Sequence, residues 1–232
     1  MPDWFESLRG KIIISCQAAP DEPLHGSQYM AAMARAAEMG GAAGIRANGS
    51  DDIAAICATV SLPVIGINKR KYPGYEIYIT PTFDDARQVV EAGAKIVALD
   101  GTSLPRPDQQ TLESLIHKIH DELHTPVMAD LSCMEDARLA EAAGADFLGT
   151  TLSGYTSHGR PPIEGPDLAF ISELAQSTHK PVIAEGRFVE TSQVKEAFAR
   201  GAFAVVIGGA VTRPQEITRR FVSAAPNMNS FV

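Results

Sequence analysis

Residues 83–100 read FDDARQVVEAGAKIVALD. The first part has the period of an amphipathic helix, Gly93-Ala94 closes it, and KIVALD at 95–100 has the length and β-branched content of a strand buried on both faces. Glycine suits the junction because the residue just past a helix often needs a positive φ. The same unit recurs along the chain. Further apolar runs stand at 11–16 (KIIISC), 42–46 (AAGIR), 63–68 (PVIGIN), 126–130 (PVMAD), 146–150 (DFLGT), 181–185 (PVIAE) and 203–208 (FAVVIG), separated by amphipathic stretches such as YMAAMARAAEMG and LESLIHKIHDEL. Gly40-Gly41, Gly144 and Gly201 mark the same helix-to-strand junction. Ser132-x-x-Glu135 and Thr212-x-x-Gln215 read as capping boxes at helix starts, with Pro214 in a first turn. Eight strands alternating with helices over 232 residues predict an α/β fold, a (β/α)8 TIM barrel that forms a single domain over residues 1–232. A doubly wound open sheet is the alternative, but no GxGxxG follows the first strand. No linker of Pro, Gly and Ser divides the chain.

Composition narrows the function. The formal net charge is −8 and 45% of residues are hydrophobic. An acidic balance argues against general nucleic-acid binding, which needs a basic surface. No apolar run approaches the roughly 18 residues of a membrane span, and no basic segment with a long apolar stretch opens the chain, so a cytoplasmic protein is expected. Cys16, Cys57 and Cys133 lie far apart, and neither a disulfide framework nor a zinc motif follows from them.

Barrel enzymes carry their chemistry at the C-terminal ends of the strands. There the sequence places Gln17, Arg46, Lys69, Asp100, Asp130 and Glu185, and the last strand runs into Gly208-Gly209. Alternation puts Ile65 and Ile67 beneath Lys69, Met128 beneath Asp130 and Ile183 beneath Glu185, an apolar interior under a polar mouth. Strand-end caps or closing ion pairs would explain one such residue; so many charged groups together point to a site. Gly186-Arg187 and Gly208-Gly209, followed by Arg213, read as an anion cradle of glycine backbone and guanidinium. Arg46, Lys69, Arg70, Lys71, Arg187 and Arg213 would give an acidic protein a local positive field, suited to a small anionic ligand; Arg70 and Lys71 fit a solvated loop equally well.

At these residues the chain resembles the N-acetylmannosamine-6-phosphate 2-epimerase family of the ribulose-phosphate-binding barrels. The matching stretches include SCQAAPDEPLHG at 15–26, GIRANG at 44–49, PVIGINKR at 63–70, ALDGTSLPRP at 98–107, LGTTLSGYT at 148–156, PVIAEGR at 181–187 and VVIGGAVTRP at 205–214. Asn68 stands where a valine is expected and Lys71 where an acidic residue is often found. The resemblance implies interconversion of N-acetylmannosamine 6-phosphate and N-acetylglucosamine 6-phosphate, in sialic-acid and amino-sugar catabolism. It also implies a homodimer whose partner is a small sugar phosphate, using no metal and no organic cofactor.

Inverting C2 of an amino sugar needs a base, an acid for the opposite face, a partner for the enolate oxygen and an anchor for the phosphate. The resemblance assigns Lys69 and Glu185 to the proton transfers. Asp130 is expected to orient Lys69 or a sugar hydroxyl. Gln17 and Arg46 would hold the substrate carbonyl or the N-acetyl group, and Gly186, Arg187, Gly208, Gly209 and Arg213 the phosphate. Lys69 should have a lowered pKa through Arg46, Arg70 and partial burial. The connection 151–167 has the length of a lid, with Tyr155 or Ser153 over the sugar, or else it is a rigid proline-braced loop. His117, His120 and His124 read as a solvent face with no paired carboxylate rather than a metal site. Cys16 reads as a buried thiol, Met30, Met33 and Met39 as packing, and Trp4 with Phe5 as a cap on the barrel's floor or flank.

Overall fold

A computed structural model describes residues 3–226. Parallel strands β1 (Lys11–Cys16), β2 (Gly44–Asn48), β3 (Val64–Ile67), β4 (Ile96–Asp100), β5 (Val127–Asp130), β6 (Phe147–Gly149), β7 (Val182–Glu185) and β8 (Ala204–Ile207) pair in sequence order, and β8 closes on β1. The fold is the TIM barrel expected. Helix α1 (Asp3–Glu6) precedes the barrel; α2 (Ser27–Met39), α3 (Ser50–Cys57), α4 (Phe83–Glu91), α5 (Leu112–Lys118), α6 (Met134–Ala142), α7 (Leu168–Ser177) and α8 (Thr191–Ala199) connect the strands. The short α9 (Gly209–Thr212) and then α10 (Pro214–Ala224) follow β8.

Side-chain alternation sorts the apolar residues into two cores. Ile45, Ala47, Val97, Leu99, Ala129, Leu148, Val182 and Val205 face outward to the helices. Ile13, Ile65, Ile67, Ile96, Ala98, Met128, Phe147, Ile183, Ala204 and Val206 fill the barrel. Phe5 of α1 plugs the floor, its ring 5.1 Å from Phe147 and 5.2 Å from Phe203 between centroids. Trp4 packs partly buried against this cluster.

Several local expectations change. β2 runs past Arg46 to Asn48, so Arg46 lies within the strand and not at its end. Neither expected capping box forms. Ser132 gives its N–H and hydroxyl to Asp136, leaving Glu135 outside the cap. The Thr212 hydroxyl turns inward to the Ser15 and Gly208 carbonyls. A reciprocal box occurs instead at α4, where Thr82 and Asp85 exchange bonds. Met30 is buried and Met33 half-buried, but Met39 is 81% exposed, so it is not part of the packed core. Of the three histidines, His117 and His124 face solvent, whereas Nε2 of His120 lies 2.9 Å from Asp146, a carboxylate at the foot of β6.

Candidate active site

On β1, β3, β5 and β7 the inner column continues past the apolar layers into polar residues at the C-terminal end. Ser15 and Gln17 continue Ile13 on β1, Lys69 continues Ile67, Asp130 continues Met128, and Glu185 continues Ile183. Asp130 is buried; the others border a cavity of about 700 Å3 at the mouth, lined among others by Gln17, Arg46, Lys69, Tyr78, Thr151 and Glu185. Gly149 makes room for this cluster: a Cβ there would come within 2.4 Å of Met128 and 3.1 Å of Asp130.

Arg46 is the hinge of the cluster. Its side chain is 1% exposed and forks onto Asp130, with Nη2 2.5 Å from Oδ2 and Nη1 3.1 Å from Oδ1. Nη1 also reaches Glu185 at 2.5 Å. The Thr151 hydroxyl donates to Asp130 at 2.6 Å and lies 3.3 Å from Glu185. A buried guanidinium needs such partners, because desolvating an isolated charge is prohibitive. Burial alone would lower its pKa, but Asp130 and Glu185 together hold it above its usual value, so the group stays charged. Two buried polar atoms of lining residues have no protein partner, the Arg46 Nε–H and the Gln17 carbonyl oxygen. The Gln17 amide itself donates to Ser15 Oγ at 2.8 Å.

Lys69 lies just beyond β3, where residues 68–80 leave the barrel and return. Its N–H donates to the Asn48 side chain at 2.7 Å, and it pairs antiparallel with Ile79. Thr80 pins the returning strand in a left-handed conformation, φ 44°, rare for a β-branched residue. Its hydroxyl donates to the Ala98 carbonyl and accepts from the Asn68 N–H. The Asn68 side chain donates to Asp85 and Gln88 of α4, so it is directed out of the barrel. The Lys69 side chain reaches solvent through the cavity mouth, yet protein crowds its ammonium. That desolvation lowers its pKa, Arg46 and Arg213 add to the effect, and Glu185 and Asp130 oppose it. Arg70 does not contribute as expected: it stacks on Tyr72 and lies 3.7 Å from Asp85. Glu185 moves the opposite way. Burial raises its pKa and Asp130 adds to this, while Arg46 and Lys69 resist.

The glycine-rich turns after β7 and β8 both border the cavity, together with Arg187 and Arg213. Arg187 has φ 57°. Its guanidinium donates to the Gly165 and Ser153 carbonyls and stacks 4.9 Å over Tyr155. Its side chain therefore braces the 151–167 loop. Arg213 is held by Glu22 at 2.9 Å and Glu216 at 3.3 Å, and the Glu216 carboxylate lies against Gly209. Tyr155 lines the cavity with 59% of its surface exposed. Ser153 does not. It is buried, with its hydroxyl on Asp167 at 2.6 Å, so of the two expected lid residues only Tyr155 overlooks the site. Asp100, although at a strand end, is turned to the Thr102 N–H and hydroxyl and caps its own loop.

Sequence reasoning singled out Arg46, Asp130, Lys69 and Glu185; the fold brings Arg46, Lys69 and Glu185 to one cavity and buries Asp130 behind Arg46. It passed over Thr151, Tyr78, Ser15 and Glu216. Ser15 was open to detection, since it shares the inward parity of Gln17. Tyr78 was not, because it arrives on the irregular return of residues 68–80. Burial, together with Asp130 and Asp100, raises the Tyr78 pKa, keeping its phenol protonated.

A family model described as "Putative N-acetylmannosamine-6-phosphate epimerase" matches residues 30–227. The chain belongs to the N-acetylmannosamine-6-phosphate epimerase family. Relatives from Caldanaerobacter subterraneus subsp. tengcongensis and Listeria welshimeri bear the corresponding 2-epimerase name. The first is 48% identical over 222 residues, covering 95% of this chain and 93% of the relative. The second is 45% identical over 221 residues, covering 94% and 93%. The solved N-acetylmannosamine-6-phosphate 2-epimerase from Clostridium perfringens superposes with a TM-score of 0.93 at 41% identity, with 97% of each chain covered. A thiamine phosphate pyrophosphorylase from Pyrococcus furiosus, at 18% identity and TM-score 0.58, shares the barrel alone. Membership of an epimerase family makes this an enzyme of the isomerase class.

Proposed function

We propose that this protein interconverts N-acetylmannosamine 6-phosphate and N-acetylglucosamine 6-phosphate by removing the C2 proton and returning it on the other face. The observation that carries the reading is the pair Lys69 and Glu185 in one cavity, with pKa values displaced toward each other. The family and the relatives' names supply the substrate.

The C2–H bond becomes acidic only beside a carbonyl, so the open-chain aldehyde is the reacting form. Glu185 as carboxylate takes the C2 proton, the electron pair moves into an enolate, and the Lys69 ammonium delivers a proton to the opposite face. The couple ends as amine and carboxylic acid, which is the state the reverse reaction needs. Raising the carboxyl pKa and lowering the ammonium pKa brings these two protonation patterns closer in free energy, so neither direction is penalised strongly. Arg46, which lines the cavity, offers a fixed positive charge to the enolate oxygen. The Gln17 amide, also in the lining, faces the acetamido group. The Gly186, Gly208 and Gly209 backbones and Arg213 receive the phosphate, and Arg213 exchanges its glutamates for it. Asp130 holds Arg46 in place and does not touch the proton in transit.

An amino-sugar catabolic setting, a homodimer and a cytoplasmic location belong to the same proposal and follow from the family resemblance. Among the described residues no helix is long and apolar enough to cross a membrane.

The test is proton exchange. Incubated with N-acetylmannosamine 6-phosphate in D2O, the enzyme should form the epimer with deuterium at C2, read by NMR. Lys69→Ala should do neither. Epimer formed without solvent deuterium, in a variant-sensitive reaction, would refute transfer through exchangeable side chains.

A further inference from the structure

Outside the cavity, the fold assembles a set of donors that the sequence scatters. Cys133 is the N-cap of α6, Asp136 is in its first turn, and His158 comes from the loop between β6 and α7. Their sulfur, oxygen and nitrogen atoms all lie within 4.8 Å of one another. We propose that these three side chains bind a zinc-class divalent cation, and that the bound ion staples the 151–167 loop to the start of α6.

The donor geometry supports this. Ligands held tetrahedrally at zinc distances stand about 3.3–3.8 Å apart. His158 Nε2 and Asp136 Oδ1 already stand 3.3 Å apart. Asp136 is buried and its two oxygens have separate tasks: Oδ2 accepts the Ser132 N–H at 3.1 Å and the Ser132 hydroxyl at 2.5 Å, and Oδ1 faces the histidine. Such support from a neighbouring group fixes a carboxylate ligand's direction. Cys133 is half-buried and free. Rotation of its side chain supplies the remaining contraction, and water completes the four ligands. A mixed N, S and O set favours zinc over magnesium or calcium, which take oxygen.

The loop is seated for this role. The Arg160 N–H donates to the Ser132 carbonyl at 3.1 Å, and Gly159 presses so closely that a Cβ there would lie 2.5 Å from Ser132. His158 is thus presented over Asp136 by backbone on its C-terminal side, and Tyr155, which lines the cavity, is three residues upstream. None of the three donors lines the cavity, so the ion takes no part in proton transfer. Coordination takes the thiolate form of cysteine, so affinity rises with pH.

The experiment uses the full chain stripped with a chelator and dialysed, then titrated with zinc against a fluorescent competitor and with cobalt by absorbance. The expected results are one ion per chain and a thiolate-to-cobalt charge-transfer band. In Cys133→Ser and in His158→Gln, checked for native circular dichroism, the affinity falls tenfold or more, and in Cys133→Ser the band is lost. Zinc should also slow amide hydrogen exchange across residues 153–160 of the wild type. No saturable binding, a band that survives in Cys133→Ser, a loss of affinity below tenfold in either variant, or exchange in the loop unchanged by bound zinc would each overturn the proposal.

Discussion

The two ends of the barrel interior are built from the same strands on opposite principles. At the floor, Phe5, Phe147 and Phe203 pack ring against ring over Ile13 and Ala204; burial of apolar surface favours the fold there and demands no partners. At the mouth, one guanidinium, two carboxylates and an ammonium crowd together, where desolvation opposes folding and only mutual pairing makes it tolerable. The floor contributes stability that the mouth consumes. The difference teaches that substitutions at the floor should act on the stability of the fold and those of proton-transfer groups at the mouth on the rate, while the buried Arg46–Asp130 pair bears on both.

Lys69→Ala is the sharpest test of that division. Loss of a proton-transfer group should lower kcat by about 10^3-fold, within the usual range for general acid–base catalysis. Its thermal midpoint should stay at or slightly above the wild type, because a destabilised charge has been removed; a large fall in midpoint would break the contrast. Phe147→Ala should do the reverse. It opens a cavity in the floor costing about 3–5 kcal/mol by denaturant titration, while kcat of the folded fraction changes less than about threefold. Asp130→Asn tests whether the mouth is itself held together by charge. With Arg46 left undercompensated, stability should fall by about 2–3 kcal/mol and kcat should fall with it. Arg213→Ala is expected to be milder, raising KM about tenfold through a lost charge-assisted contact, with kcat little changed.

The smallest effect is one of shape. The Glu185 carboxyl lies above its usual 4.5 and the Lys69 ammonium below its usual 10.5. In kcat/KM the acid limb, where Glu185 gains a proton, therefore lies higher than an ordinary glutamate would give. The alkaline limb, where Lys69 loses one, lies lower than for an ordinary lysine. The bell should be narrower than free side chains would produce, and Lys69→Arg should carry its alkaline limb upward in whatever activity it retains. Linkage gives the same sign for stability: a carboxyl raised on folding favours the folded state below its unfolded pKa, and that contribution is lost as pH rises through the folded value.

How much of this was readable beforehand depended on periodicity. The strands were legible because each after the first is a short apolar run opened by Gly-Ala or by proline, and the inner parity that places Ile65, Ile67 and Lys69 in one column follows from the strand repeat alone. The apolar run AAGIR ends at Arg46, and nothing local shows that the strand continues; Asp130 and Glu185, distant in sequence, make a buried arginine inside it tolerable. The capping boxes failed for a similar reason. Asp136 and the Ser15 carbonyl are better partners for Ser132 and Thr212 than the neighbours visible in the local pattern. Thr151 and Tyr78 were illegible because they reach the cavity on irregular chain, where no repeat assigns a direction. The Cys133–Asp136–His158 cluster depends on how the 151–167 loop folds back, which no spacing announces.

Arg213 arrives at the mouth already neutralised by Glu22 and Glu216. Under the proposed function, an incoming dianion would be swapped in for this resident counter-charge, and the same two carboxylates would favour its release. A seat of that kind would discourage long residence of product and make occupancy follow the free concentrations of the two epimers.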